Sequence, residues 1–187
     1  MGILVFMVEE PSMQLFLDHY IPRRFPSLEF QCISHRGKND LEKSIPRKLR
    51  AWHGAHFVIL RDNDGSDCIV LKKRLSNICN DAGRPDSKIR IVCQALEAWY
   101  LGVPELVAEL YRNNRFPDLM RRRKLRDPDL IPNPDQFLSR HVPEFKKHDG
   151  ARRFGLAMPL DIECNHSKSF RVFMKTVELF AEQQNTE

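Results

Sequence analysis

The sequence has no long apolar run, no paired-cysteine spacing and no glycine-rich phosphate loop. The longest purely apolar stretch near the start is Ile3–Val8. It is too short to span a bilayer, and no basic residue precedes it as in a secretory leader. The five cysteines are Cys32, Cys68, Cys79, Cys93 and Cys164. Their number is odd and no CxxC or Cys/His ligand pattern occurs, which argues against a disulfide framework and a zinc site. These features lead us to expect a cytoplasmic chain in a reducing compartment, with no membrane partner. Eight glycines and twelve prolines are too few for a collagenous or low-complexity chain. No GxxxxGK[ST], GxGxxG or GxSxG motif is present, which removes the P-loop ATPase, the dinucleotide fold and the nucleophile elbow.

What is present is an ordinary globular composition of 187 residues, 42% hydrophobic and 29% charged, with a formal net charge of +5. The length fits one domain with a small appendage. The charge is local. Arg112 to Arg126 holds seven basic residues and one acid, Asp118, so this segment carries +6 and the remainder −1. Such a strip reads either as a solvated loop or as a polyanion-binding surface.

Strand and helix patterns alternate over the first hundred residues. Ile3–Val8, Leu28–Ser34, Ala55–Leu60 and Ile89–Cys93 read as strands buried on both faces. Between them, helical stripes run through Met13, Phe16, Leu17 and Tyr20, through Leu41 to Trp52 with Pro46 weakening the middle, and through Cys68 to Cys79. Ala95–Tyr111 reads as helix broken near Gly102-Val103-Pro104. Periodicity fails from Asn113 to His141 and returns from Gly150, with a final helix carrying Phe170, Phe173, Met174, Val177 and Phe180 behind a Ser167 or Ser169 cap. Four strand–helix repeats imply right-handed crossovers and a mostly parallel sheet, an α/β fold. The division expected is an α/β core over residues 1–112, with a basic loop region and C-terminal helices over 113–187 packed on it.

Parallel sheets bind ligands at the carboxyl ends of their strands. Glu9 and Glu10 end the first strand, and Asp62 and Asp64 end the third. If that strand continues, period two places Asp62 and Asp64 on one side, and Gly65 lets the chain turn. Carboxylates this close repel unless a cation lies between them. Oxygen ligands suit Mg²⁺ or Mn²⁺ rather than Zn²⁺, with phosphate and water completing the shell. Glu97, just after the fourth strand, reads as a further ligand or as an ordinary helix residue. The phrase Asp62-Asn-Asp64-Gly-Ser66 also resembles the nucleophile motif of haloacid-dehalogenase phosphatases, without its usual Lys and acidic partners.

The Glu after strand one and the DxD after strand three resemble the Toprim domain of topoisomerases, primases and OLD-family nucleases. The resemblance extends through Val8-Glu-Glu-Pro-Ser-Met13, Gly37-Lys38, Arg61-Asp-Asn-Asp-Gly-Ser-Asp-Cys68, Leu96-Glu-Ala-Trp-Tyr-Leu-Gly102, Arg126-Asp-Pro-Asp129, Lys147-His-Asp-Gly-Ala-Arg152 and Asn165-His-Ser-Lys-Ser-Phe170. In that order they resemble an uncharacterised Toprim-like bacterial family, often encoded beside AAA- or ABC-type ATPases in settings of anti-phage defence. The resemblance implies a Toprim-like three-layer fold and a catalytic set of Glu9, Asp62 and Asp64. Glu97 is implied as a further metal ligand and Asp67 as an acid or helix cap. The Toprim pattern has Gly where Glu10 stands, so either Glu9 or Glu10 fills the acidic role, Glu9 being preferred.

These readings lead to a metal-dependent nuclease acting on DNA or RNA, with Mg²⁺ or Mn²⁺ as cofactor and a partner ATPase as the implied trigger. Its expected nucleic-acid contacts are Lys38, Arg121, Arg122, Arg123, Lys124, Arg126, Lys147 and Arg152. A non-catalytic adaptor or sensor is the first alternative and a phosphatase the second. Convergence of Glu9, Asp62, Asp64 and Glu97 within shared metal reach separates the nuclease from the adaptor.

Overall fold

The computed structural model describes residues 2–185. Four strands, β1 (Leu4–Val8), β2 (Phe30–Ser34), β3 (His56–Asp62) and β4 (Lys88–Val92), form one sheet in the order β2-β1-β3-β4. All three pairings are parallel, so the mostly parallel sheet expected is parallel throughout. The chain is α/β, with the three-layer arrangement consistent with a Toprim-like fold.

Helices α1 (Pro11–Arg24), α2 (Lys38–Ala51) and α3 (Cys68–Asp81) make the crossovers. Side chains alternate across each buried strand, and the apolar core divides accordingly. Leu4, Phe6, Val8, Val58 and Leu60 share one cluster with the α1 residues Phe16 and Tyr20. Val5, Met7, Phe57 and Ile59 share the other with α2 and α3. The chain leaves β1 toward β2 and then returns to place β3 on the opposite side of β1. The β1/β3 junction is therefore the topological switch point, where open α/β sheets form their ligand crevice.

Several boundaries differ from the periodicity. Helix α2 begins at Lys38 and runs through Pro46. A proline there costs one backbone hydrogen bond, and Leu41, Ile45 and Leu49 hold the helix by burial on the sheet. Strand β3 runs two residues past Leu60, since Arg61 and Asp62 pair with Ile91 and Val92.

The helix read over Ala95–Tyr111 is two, α4 (Glu97–Leu101) and α5 (Pro104–Tyr111). Arg112 closes α5 in the left-handed region with φ 53°. Beyond it come α6 (Phe116–Met120), α7 (Pro134–His141), α8 (Lys147–Ala157) and α9 (Lys168–Asn185). These segments build no separate core: Phe116, Leu138, Phe154, Phe170 and Phe173 join the cluster that holds Leu4 and Phe16. Ser167 caps α9, its Oγ accepting the Phe170 N–H at 3.1 Å.

A buried polar network explains three of the distinctive sequence segments as structural. Asp129 accepts from Ser167 Oγ at 2.6 Å and from the Ser169 N–H at 2.7 Å. Asn165 Nδ2 donates to the Trp99 carbonyl at 3.0 Å, and Trp99 Nε1 donates to Ser169 Oγ at 2.9 Å. A Cβ on Gly102 would stand 2.0 Å from Asn165 Oδ1, so only glycine fits there. The network ties α4 to the start of α9 and fixes how Glu97 is presented to the sheet edge.

Candidate functional site: an acidic cluster at the switch point

Both acidic segments lie at the carboxyl ends of β1 and β3. Alternation sends Asp62 to the same face as Val58 and Leu60, toward α1 and α4, and sends Arg61 to the opposite face, toward α2. Asp64 is not two strand positions beyond Asp62. The strand ends at Asp62, and Asp64 lies in the left-handed region with φ 48°, followed by Gly65 at φ 76°. The shared-side expectation from period two is therefore corrected. The loop is still held firmly, because the Asn63 N–H reaches the Val92 carbonyl at 3.1 Å and Asn63 Nδ2 reaches the Ser66 carbonyl at 2.9 Å. Asp67 is the cap of α3, accepting from Ile69 and Val70 at 2.8 and 2.9 Å.

On the α2 side the acids are matched by cations. Arg61, nearly enclosed, places Nη1 2.8 Å from Glu9 Oε2 and 3.3 Å from Asp64 Oδ2. Its Nε stands 3.6 Å from Glu42 Oε1, and Arg74 grips the same Glu42 with both guanidinium nitrogens at 2.6 and 2.7 Å. Arg61 also donates to the Asp62 carbonyl. Lys38, at the start of α2, reaches Asp64 at 3.4 Å, in a loop docked by the Gly37 N–H on the Glu9 carbonyl. Burial raises the Glu9 pKa, against the lowering pull of Arg61.

On the α1/α4 side two acids are buried without such a match. Asp62 is 8% exposed. Burial pushes its carboxyl pKa well up, and the charges of Glu9, Glu10, Glu97 and Asp64 push it further. Glu97 is 0% exposed, and neither carboxylate oxygen has a hydrogen-bond partner. Burial raises its pKa to about 7 although Lys147 pulls it down. Glu10 is engaged at the rim, bonded to Lys147 Nζ at 2.7 Å and to Ser12 Oγ at 2.8 Å.

As the side chains stand, no group of three or more His, Cys, Asp or Glu among the described residues is arranged to hold a metal ion. Asp62 and Glu97 fit a hard cation, since both are buried and acidic and the Glu97 carboxylate lacks donors. Glu9 and Asp64 fit it only when they release Arg61. Shared reach among all four is therefore not preassembled, and by the criterion taken from the sequence this geometry, as it stands, favours the adaptor.

The basic candidates divide in space. Lys38 and Lys147 touch acids of the cluster. Arg121 pairs instead with Asp118 at 2.9 Å and Glu105 at 4.0 Å, and Arg126 donates to the Arg121 carbonyl. Arg122, Arg123 and Lys124 are exposed after α6, while Arg152 pairs with Asp149 on α8. The strip follows α4 in sequence, but its partners lie on α5 and α6. Arg61 is the residue the sequence reading missed. With the strand read only to Leu60, Arg61 stood outside it; the extension of β3 to Asp62 puts its charge inside a buried strand, where it demands partners.

Residues 8–178 match the family described as domain of unknown function DUF4276. The chain belongs to that family. No match was found among curated proteins. Among solved structures, the chain is similar to the C-terminal region of the Xanthomonas campestris pv. campestris OLD protein, at 13% identity and a TM-score of 0.50. The alignment covers 99% of this chain and 97% of that one. At such identity the likeness is one of fold.

Proposed function

We propose that this DUF4276 chain is a metal-dependent phosphodiesterase acting on nucleic acid, with Mg²⁺ or Mn²⁺ as cofactor. One observation carries the reading: Asp62 and Glu97 are buried acids at the switch point, and neither Glu97 carboxylate oxygen has a hydrogen-bond partner. Folding such groups charged is costly, and a site that binds a divalent cation recovers that cost. The similarity to an OLD protein region supports a nuclease-related family. An ATPase partner and a role in defence belong to the same proposal through the family resemblance.

In this reading Asp62, Glu97, Glu9 and Asp64 hold the cation. The cation supplies Lewis acidity toward phosphate and a lowered pKa for bound water. The chain's own residues orient the reactants. Arg61, displaced from Glu9 and Asp64, presents guanidinium donors suited to a phosphate oxygen. Lys147 and Lys38 sit at the rim as phosphate contacts. Alternatively, Glu9 stays off the cation, and its carboxylate, whose pKa burial raises in the metal-free protein, is placed to move a proton.

The test is cleavage of supercoiled plasmid and single-stranded DNA and RNA with Mg²⁺ or Mn²⁺. Asp62→Ala is expected to lower the rate by at least ~100-fold, since the metal supplies several kcal/mol of transition-state stabilisation. Equal cleavage by wild type and variant overturns the reading. A second reading, a non-catalytic adaptor, is favoured by the Arg61 contacts, which fill with a guanidinium the place between Glu9 and Asp64. It predicts no Mn²⁺ binding by calorimetry. The phosphatase alternative predicts turnover of small phosphomonoesters without nucleic-acid cleavage.

A further inference from the structure

Away from the acids, the outer edge of the sheet forms a groove. Strand β4 pairs with β3 on one side only. The Asn63 N–H reaches the Val92 carbonyl, so Val92, and by alternation Arg90 and Lys88, direct their backbone groups toward β3. Ile89 and Ile91 direct theirs outward. The Ile89 carbonyl accepts from Arg90 Nη1 at 2.8 Å, leaving the Ile91 groups facing the groove.

Helix α3 forms one wall and α9 the other, around a volume of about 650 Å³. Ile69 on α3 is 80% exposed and Val172 on α9 is 44% exposed, both lining this space. Two large apolar side chains bared beside an open strand edge mark a docking surface.

Charge selects the occupant. Lys72, Lys73 and Lys168 line the groove with Arg90. The lining acid, Asp129, is committed to Ser167 and Ser169. A second copy of this chain added at β4 would bring two such lysine clusters together, which disfavours it. A nucleic acid would satisfy the lysines but not the apolar walls or the strand edge. An extended acidic peptide satisfies all three: backbone to Ile91, the apolar side chains of one face to Val172 on α9, and the carboxylates of the other face to Lys72 and Lys73 beside Ile69 on α3.

We propose that this groove takes an extended acidic segment of a partner protein as a fifth strand beside β4. The proposal uses none of the acids at the switch point and stands apart from the phosphodiesterase reading. The probe is a fluorescein-labelled peptide of about ten residues alternating Val and Glu. Controls carry Lys for Glu or a central Pro, and a single-stranded oligonucleotide serves as competitor.

The Val/Glu peptide is expected to bind saturably, and both control peptides at least roughly tenfold more weakly. Ile69→Asp and Lys72→Glu/Lys73→Glu are expected to weaken it by a similar factor, with circular dichroism unchanged because these side chains are on the surface. Amide exchange at Ile91 is expected to slow when peptide is added. Equal binding of the three peptides overturns the proposal. So does displacement of the Val/Glu peptide by the oligonucleotide in wild type but not in Lys72→Glu/Lys73→Glu, or a dimer that Ile69→Asp dissociates.

Discussion

The two sides of the β1/β3 junction carry the same chemistry under opposite conditions. Toward α2, Glu9, Glu42 and Asp64 meet Arg61, Arg74 and Lys38 in a continuous ion network. Toward α1 and α4, Asp62 and Glu97 meet burial and the fields of other acids, with Lys147 pulling the Glu97 pKa down. The first side is balanced as it stands. The second is held by the surrounding core at an electrostatic cost. A stable protein tolerates such a cost where function requires it, and this contrast is why the proposed cation site is centred on the unmatched side rather than on the ion network.

Removing the balance on the α2 side has the largest expected effect on folding. Arg61→Met leaves Glu9 and Glu42 facing each other without their shared cation. Breaking a buried pair by taking one partner costs about 3–5 kcal/mol. Urea unfolding of wild type and variant measures it. A loss below about 1 kcal/mol shows that Arg61 is as solvated as an exposed ion pair, and the contrast between the two sides then fails.

Relieving the cost on the other side has the opposite sign. The folded Glu97 pKa is about 7 against an ordinary value of 4.5. Between those values the folded state binds more protons than the unfolded one, so this group lowers stability as pH rises from about 4.5 to about 7. Above that window the full cost applies, about 3 kcal/mol for a shift of this size. Glu97→Gln is therefore expected to stabilise the metal-free protein by up to about 3 kcal/mol at pH 8 and by almost nothing at pH 4. Thermal unfolding in chelator across that range measures it. A pH-independent difference shows that Glu97 is solvated and removes the basis for the proposed site. The same variant is expected to weaken Mn²⁺ binding.

The strands and the acids were legible in the sequence because buried parallel strands are apolar runs and charges at their ends stand out. Asp62 and Asp64 were found this way, although by a route the backbone does not follow: a left-handed turn, not strand period, places Asp64. Glu97 was legible from its position after β4, and its apolar neighbours Ala95, Leu96, Ala98 and Trp99 already hinted at burial. Arg61 was not legible, because an Arg beside a DxD reads as a solvated strand end. The strip from Arg121 to Arg126 was easy to see and hard to place. Adjacency to α4 in sequence says nothing about where α5 and α6 carry the chain. Asp129 and Asn165 stood in two of the distinctive segments with no role assigned, and their bonds to Ser167, Ser169 and Trp99 identify them as a structural network.

Lys147 offers the smallest and most local test, because it is a cation that acts on the unmatched side. It comes from α8, 137 residues away from the Glu10 it bonds. Burial works against its charge, but the Glu10 hydrogen bond and the fields of Glu97, Glu10 and Asp62 more than offset this and raise its pKa. Because Lys147 is nearly half exposed, Lys147→Met is expected to cost no more than about 1 kcal/mol of stability. Its effect on Glu97 is more informative. Lys147 lowers the Glu97 pKa from a distance, so its removal is expected to move that pKa above 7, as read by carboxyl carbon NMR titration. An unchanged Glu97 titration shows that Lys147 serves Glu10 alone. A rise shows that the rim lysine already moderates the buried charge, the task assigned here to a bound cation.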